Sequence, residues 1–333
     1  MTRGRVCALV GAGIWAVSMA VFAQTGGGSN LTKVVIQNYP GPINLLTQVA
    51  VEKGFCRDHG IECDLKLIPA APLGIQTLLS KGIDIALPPP EVAIQGALKG
   101  ADIRVIGTAF RSSVFFLAVG NHIELPAGGD YKAVLNALKG KKIGVTSRGA
   151  GPEFQYKTML KAVGLGDSDV TFVAVGSPNT AYPALANKQV DAVMGFIPLD
   201  GFCDVLKTCR IAVAPFNGEG PAEITRLNGA GGIYVVRRDY DPRLVEAFQG
   251  AVRDSTRFIQ DPANFEQVYE IARKNFRIEH PQGDAILRST VKRFLTSWQS
   301  ELNPQAVQAV QAAADYLHST GQVPETFNTA RFR

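Results

Sequence analysis

Three short constellations in this 333-residue sequence have residue types and spacing that could do chemistry. The first is Thr146-Ser147-Arg148-Gly149-Ala150-Gly151, directly ahead of Pro152. Two hydroxyls, a guanidinium and two glycines before a helix start suit an anion such as a carboxylate or sulfonate. Glycine lets the backbone come close, the first helical N–H groups are free, and arginine can fork onto two oxygens. Glu153, in the first turn of the same helix, competes, because it can satisfy the same amides and leave Arg148 solvated at a rim. The second constellation is Gly11-Ala12-Gly13-Ile14-Trp15-Ala16, the G-x-G-x-x-A outline of a dinucleotide-binding turn. The third is two close cysteine pairs, Cys56 with Cys63 and Cys203 with Cys209.

The flanks remove the dinucleotide reading. Met1–Arg5 is a short basic head, Val6–Phe22 carries no charge, and Val21-Phe22-Ala23 ends in a small-residue cleavage pattern. No acid stands at positions 31–36 to hold a ribose. Residues 1–23 are expected to be a secretory signal peptide, cleaved after Ala23, with a mature chain starting at Gln24. Cys7 lies too early to be a lipid-attachment cysteine at that point. In an oxidising compartment the two local pairs suggest disulfides Cys56–Cys63 and Cys203–Cys209. Four buried free thiols are the alternative. A zinc site lacks both C-x2-4-C spacing and a histidine near the second pair.

Without residues 1–23 the chain holds 32 Lys and Arg against 29 Asp and Glu, too even a balance to argue for nucleic acid. No second long apolar run suggests a membrane span. The histidines, His59, His122, His280 and His318, fall outside every candidate site turn, and neither G-x-S-x-G nor H-E-x-x-H occurs. The expectation is a binding protein with no cofactor and no metal, not an enzyme.

The elements that must position these residues alternate. Runs such as 33–38, 63–69 and 103–110 read as strands, separated by helical stretches such as 43–55, 73–82 and the one after Pro90. The pattern restarts with 115–120, 141–147, 170–177 and 190–198 as strands. Such alternation predicts βαβ units and a largely parallel sheet. From residue 242 onward the spacing is helical throughout, with an Asn303-Pro304 helix start. Segment 78–91 resembles 184–198, and 34–42 resembles 142–152, so two similar α/β lobes with a cleft between them are expected.

Ligands of open α/β sheets bind beyond the carboxyl ends of the strands. Asp84 and Asp191 begin their strands and are therefore read as structural, paired to neighbouring backbone. The strand-end turns supply the candidate ligand contacts: Asn38, Tyr39, Gly41, Pro89, Glu91, Phe110, Thr146, Ser147, Arg148, Gly149, Ser177 and Pro198. Tyr39 would stack on a flat ligand part or simply cover a lobe edge. Phe110, Tyr182 and Phe196 carry a weaker signal, since such aromatics are usually core, and Arg111 suits a hinge ion pair better than a ligand contact.

The stretches "EKGFCRDHGIECDL", "KGIDIAL", "KQVDAVM", "FIP" and "LKGKKIGVTSRGAGPEFQYKTMLKAVGL" resemble the periplasmic solute-binding proteins for sulfonates, nitrate and thiamine precursors, over nearly the whole mature chain. That resemblance implies a type 2 periplasmic binding protein fold: two α/β lobes around a hinged cleft, with C-terminal helices. It implies lobe 1 over 24–120 and 216–333 and lobe 2 over 121–215. It further implies a monomer in the periplasm that hands a small, anionic organic solute, a sulfonate or carboxylate, to an ABC permease and ATPase. A pyrimidine or thiamine-precursor binder, an enzyme like the pyrimidine-precursor synthases, and a receptor-linked sensor are the alternatives. Those synthases rely on His and Cys in the cleft, which the candidate turns lack. The cysteine pairs and the Pro88-Pro89-Pro90 run depart from the family pattern. The proline run removes backbone donors an oxyanion would use.

Overall fold

The β-branched run at 33–36 forms the centre of the first strand, and each later strand-like run has its counterpart in a computed structural model that describes residues 1–2, 31–39 and 41–333. Nearly all of the expected signal segment, and Pro40, lie outside the described residues. Along the chain come β1 (Thr32–Asn38), α1 (Leu45–Glu52), α2 (Phe55–Asp58), β2 (Ile61–Leu67), α3 (Ala71–Leu79), α4 (Pro90–Leu98) and β3 (Ile103–Phe110). The second series is β4 (Phe115–Gly120), α5 (Tyr131–Ala137), β5 (Lys142–Val145), α6 (Gly151–Ala162), β6 (Thr171–Ala174), α7 (Pro178–Ala186), β7 (Ala192–Phe196), α8 (Leu199–Leu206) and β8 (Cys209–Val213). Then follow α9 (Ala222–Thr225), β9 (Gly232–Arg237), α10 (Pro242–Gln260), α11 (Phe265–Asn275), α12 (Gly283–Arg293) and α13 (Pro304–Ser319).

The first lobe pairs β1 with β2 in parallel and β3 with β9 antiparallel. Single bridges from Ile85 to Ile36 and from Ala86 to Val235 join the two pairs. The second lobe has one five-stranded sheet in the order β6-β5-β7-β4-β8. Two expectations change here. The sheets are mixed, not largely parallel, because β4 runs against β7 and β8. And β4 pairs wholly within the second sheet, so the chain crosses between lobes at 111–114 and not at the expected boundary after residue 120. In each lobe the strand that follows a crossing, β4 in the second and β9 in the first, is the one that runs against its neighbours.

The internal repeat is real down to single bonds. Asp84 exchanges bonds with Val35: its Oδ2 accepts the Val35 amide at 2.9 Å and its own amide donates to the Val35 carbonyl at 2.8 Å. Asp191 does the same with Lys142, at 2.8 Å in both directions. Three residues before each aspartate a lysine takes a left-handed conformation, Lys81 at φ 62° and Lys188 at φ 59°. The two aspartates therefore close matching helix-to-strand turns on the side away from the cavity described below.

The crossings are tied to each other. The Gly229 amide donates to the Arg111 carbonyl at 2.7 Å, and the Asn228 side chain accepts the Ser113 amide at 2.7 Å. A Cβ on Gly231 would stand 1.9 Å from the Ser112 carbonyl oxygen, so only glycine allows this approach. Arg111, read from sequence as a hinge ion-pair partner, takes part here through its backbone.

The C-terminal helices are shared out. α10 and α11 pack on α1, α13 packs on α4, and α12 packs on α8 of the second lobe. Trp298, fully buried, meets Phe110 edge-on at 5.6 Å and donates to the Pro42 carbonyl at 3.1 Å. Disulfides join Cys56 to Cys63 and Cys203 to Cys209, with sulfurs 2.06 and 2.01 Å apart, each linking a helix to the strand that follows it. Among the described residues, no helix is long and apolar enough to cross a membrane.

Candidate functional site

A cavity of about 380 Å³ opens where the lobes meet. The first lobe contributes Pro89, Glu91, Val92 and Gln95 from the start of α4. Ser113 and Val114 come from one crossing, Phe115 from the start of β4 beside it, and Leu227, Ala230 and Gly231 from the other crossing. The second lobe brings Gly149, Ala150 and Gly151 with Phe154 and Gln155 of α6. Ala309, Ala313 and Tyr316 project from α13 at i, i+4 and i+7, one face of a helix whose small residues leave room for the ligand space.

Of the candidate ligand contacts read from sequence, Pro89, Glu91 and Gly149 line this cavity, together with Pro90, Ala150 and Gly151 from the same two turns. The others sit elsewhere. Phe110 is fully buried against Phe294 and Trp298, because its strand turns it into the core behind the crossing. Tyr39 donates its hydroxyl to the Leu87 carbonyl at 2.8 Å, and its own carbonyl accepts from Asn44 at 3.1 Å. Asn38 ends β1, where its carbonyl accepts the Ile68 amide at 2.9 Å. Gly41 is buried with φ 129°. Ser177 is exposed at the N-terminus of α7, and Pro198 is buried behind a cis peptide at the start of α8. Thr146 accepts the Gly176 amide at its carbonyl, and Ser147 accepts that of Ala150. Tyr182 stacks on Phe202 at 4.7 Å, and Phe196 meets Phe115 edge-on at 6.3 Å.

The expected anion turn is filled from within. Glu153 is almost wholly buried, and its carboxylate accepts from Arg148 Nε at 3.0 Å, from the Gly149 amide at 2.7 Å and from Lys157 at 3.0 Å. Burial alone would raise this carboxyl, but the bonds from Arg148, Gly149 and Lys157 together hold it down at about 2. Arg148, largely exposed, lies with its guanidinium 5.6 Å from the Phe172 ring. The protein's own carboxylate thus occupies the place where a ligand's was expected.

Glu91 is the opposite case. No lysine, arginine or histidine is among the described residues that line the cavity with it. Burial pushes its carboxyl upward, against a smaller opposing bond from its own backbone amide. Tyr316 is held up at about 12, chiefly by burial, with Thr158 bonding against this and the charge of Glu91 adding to it. Gln155 is almost wholly buried, and its Oε1 has no hydrogen-bond partner.

The sequence reading missed Gln155, Phe154, Phe115 and Tyr316. Extending the 146–151 turn by one helical turn would have reached Phe154 and Gln155. For Tyr316, delivered from the far end of the chain, no local signal existed. Among the described residues, no cluster of three or more His, Cys, Asp or Glu could hold a metal ion.

Two α/β lobes, paired crossings between them and a cavity at the junction define the periplasmic binding protein fold. The chain belongs to the NMT1/THI5-like family, whose model matches residues 45–264. Over 90% of its length it superposes on the periplasmic aliphatic sulphonate-binding protein SsuA of Escherichia coli, covering 91% of that chain with a TM-score of 0.71 at 16% identity. The periplasmic nitrate-binding protein NrtA of Synechocystis PCC 6803 matches 90% of this chain and 84% of its own, with a TM-score of 0.65 at 14% identity. At these identities the likeness concerns the fold. Binding proteins of Brucella abortus and Brucella suis are 29% identical over 157 residues, 47% of this chain. The match spans 45% of those relatives' length, a little under half.

Proposed function

We propose that the protein is the solute-binding component of an ABC-type import system. In this reading it works in the periplasm as a monomer after loss of residues 1–23, and passes a small molecule to a membrane permease without chemical change. The cavity at the lobe junction, in a family of binding proteins, carries the reading. Deleting the gene should abolish uptake of the cognate solute, and the chain from Gln24 should restore it. Undiminished uptake of every solute tested would leave a receptor-linked sensor as the better account.

For the ligand, two chemistries compete. A sulfonate or carboxylate would need the amides that open α6, and Glu153 already takes that of Gly149. A cavity wall without lysine, arginine or histidine among the described residues favours instead a nitrogen-rich solute, such as a pyrimidine precursor. A thermal-shift screen over sulfonates, carboxylates, nitrate and pyrimidines decides between them, since bound ligand stabilises by mass action, about 2.7 kcal/mol at a hundred times its Kd. Stabilisation by sulfonates or carboxylates alone would restore the anion reading.

A further inference from the structure

Among the polar groups of the cavity wall, which include Gln95, Ser113, Tyr316 and Gln322, two acceptors stand out. Glu91 comes from the first lobe, on α4, and Gln155 from the second, on α6. The Gln155 side chain is 4% exposed, and its Oε1 is a buried acceptor without a donor. Buried polar atoms in folded proteins nearly always find a partner, so an orphan on a cavity wall points to a donor that arrives with the ligand. Glu91 has no ion-pair partner among the described residues, and desolvation penalises its charged form. An incoming cation removes that penalty, whereas an incoming anion adds to it. Phe115 and Phe154 supply apolar surface beside these acceptors.

We infer that the cavity selects a solute bearing an ammonium or amidinium group, held by the Glu91 carboxylate with Gln155 Oε1 accepting a second N–H. The inference rests on the solute-binding reading above and adds the charge of the recognised group. Because the two acceptors sit on different lobes, the cationic group bridges them, and the apolar body of the solute lies along Phe115 and Phe154.

Three isosteric probes isolate the charge: benzamidine, benzamide and benzoate, titrated calorimetrically into the chain from Gln24. Benzamidine should bind at least about tenfold more tightly than benzoate, with benzamide between them. Glu91→Gln should weaken benzamidine by about ten- to a hundredfold and leave benzoate unchanged or improved. Gln155→Leu should weaken benzamidine by a smaller factor and spare benzoate. Glu91 also sits in the first turn of α4, where it favours the helix dipole. If that is its whole role, Glu91→Gln will lower the ligand-free melting temperature and leave the ranking of the probes intact, which overturns the inference. Benzoate binding as tightly as benzamidine overturns it too, while keeping the solute-binding reading. Binding of none of the three also overturns it, and the uptake experiment, indifferent to the charge of these probes, then shows whether the solute-binding reading falls with it.

Discussion

Two helices of this protein open with the dipeptide Pro-Glu, one in each lobe, and the two glutamates live in opposite surroundings. α4 begins Pro90-Glu91, and α6 begins Gly151-Pro152-Glu153. Proline at the first turn and an acid beside it is a sound helix start in both places, favoured by fixed φ and by the helix dipole. What separates them is the company. Glu153 is gripped by Arg148 five residues before it and Lys157 four residues after it. Glu91 is preceded by Pro88 and Pro89, and no cation joins it on the cavity wall among the described residues. One acid is spent on holding a turn closed, and the other is left facing ligand space. Repeated scaffolds with matching Asp84 and Asp191 anchors can therefore place one acid inside an ion-pair cluster and the other on a cavity wall.

Breaking the structural acid should produce the largest effect. Glu153→Gln at neutral pH removes a buried carboxylate that holds two cations and an amide, and should cost about 3 kcal/mol in urea unfolding. The wild type should show the same loss on acidification. A carboxyl held at about 2 against an ordinary 4.5 binds its proton less tightly when folded. Its contribution is present above pH ~4.5 and disappears as pH falls towards 2. Glu91→Gln should show no such loss. Equal stability of the two variants would mean the two acids do the same job.

Asp200 is a third acid in a first helical turn, and it titrates in the other direction. It is fully buried at the start of α8, accepts from Thr290 at 2.9 Å and faces Arg293 Nε at 3.3 Å. Burial outweighs these partners and raises its carboxyl to about 6 from an ordinary 3.8. The folded state binds that proton more tightly, so the contribution is intact below pH ~4 and is lost as pH rises towards 6. Wild type measured against Asp200→Asn should lose roughly 2 kcal/mol of relative stability across that window. A flat difference would show that Arg293 compensates the charge fully.

How much of this was legible depends on range. The alternation of strands and helices, the repeat and the helical C-terminal segment follow from local periodicity, and the structure bears out most of these elements, while the strand expected to begin at Asp84 is reduced to single bridges at Ile85 and Ala86. The role of Asp84 and Asp191 was readable because their place at the start of a strand fixes which way they face. The crossing at 111–114 was not, because "FFLAVG" reads as a strand in either sheet and only its pairing with Met194 and Val213 neighbours assigns it. The fate of Arg148 was half readable: Glu153 stood in plain view as a competitor, but whether a ligand or the chain itself fills a helix N-terminus depends on burial. The cavity's far wall, α13, was invisible, since alanines at helical spacing signify packing and nothing more.

The smallest effect tests the first lobe's own strand-end turn, which matches the second lobe's Arg148 turn in the internal repeat. The Tyr39 hydroxyl donates to the Leu87 carbonyl at 2.8 Å, a bond that holds the end of β1 to the segment leading into the proline run. Tyr39 is not among the residues lining the cavity. Tyr39→Phe keeps the ring and deletes the donor, so it should cost about 1 kcal/mol of stability, the usual net value of one hydrogen bond. Affinity for the cognate solute should stay within about twofold, since about 0.4 kcal/mol of coupling is the most a distant turn is expected to pass on. The two lobes would then share a rule: the turn after the first strand is braced by the chain's own groups, Tyr39 with Leu87 and Arg148 with Glu153. Solute contact falls instead to the helix starts. A tenfold loss of affinity in Tyr39→Phe with stability intact would break that rule and return Tyr39 to the ligand.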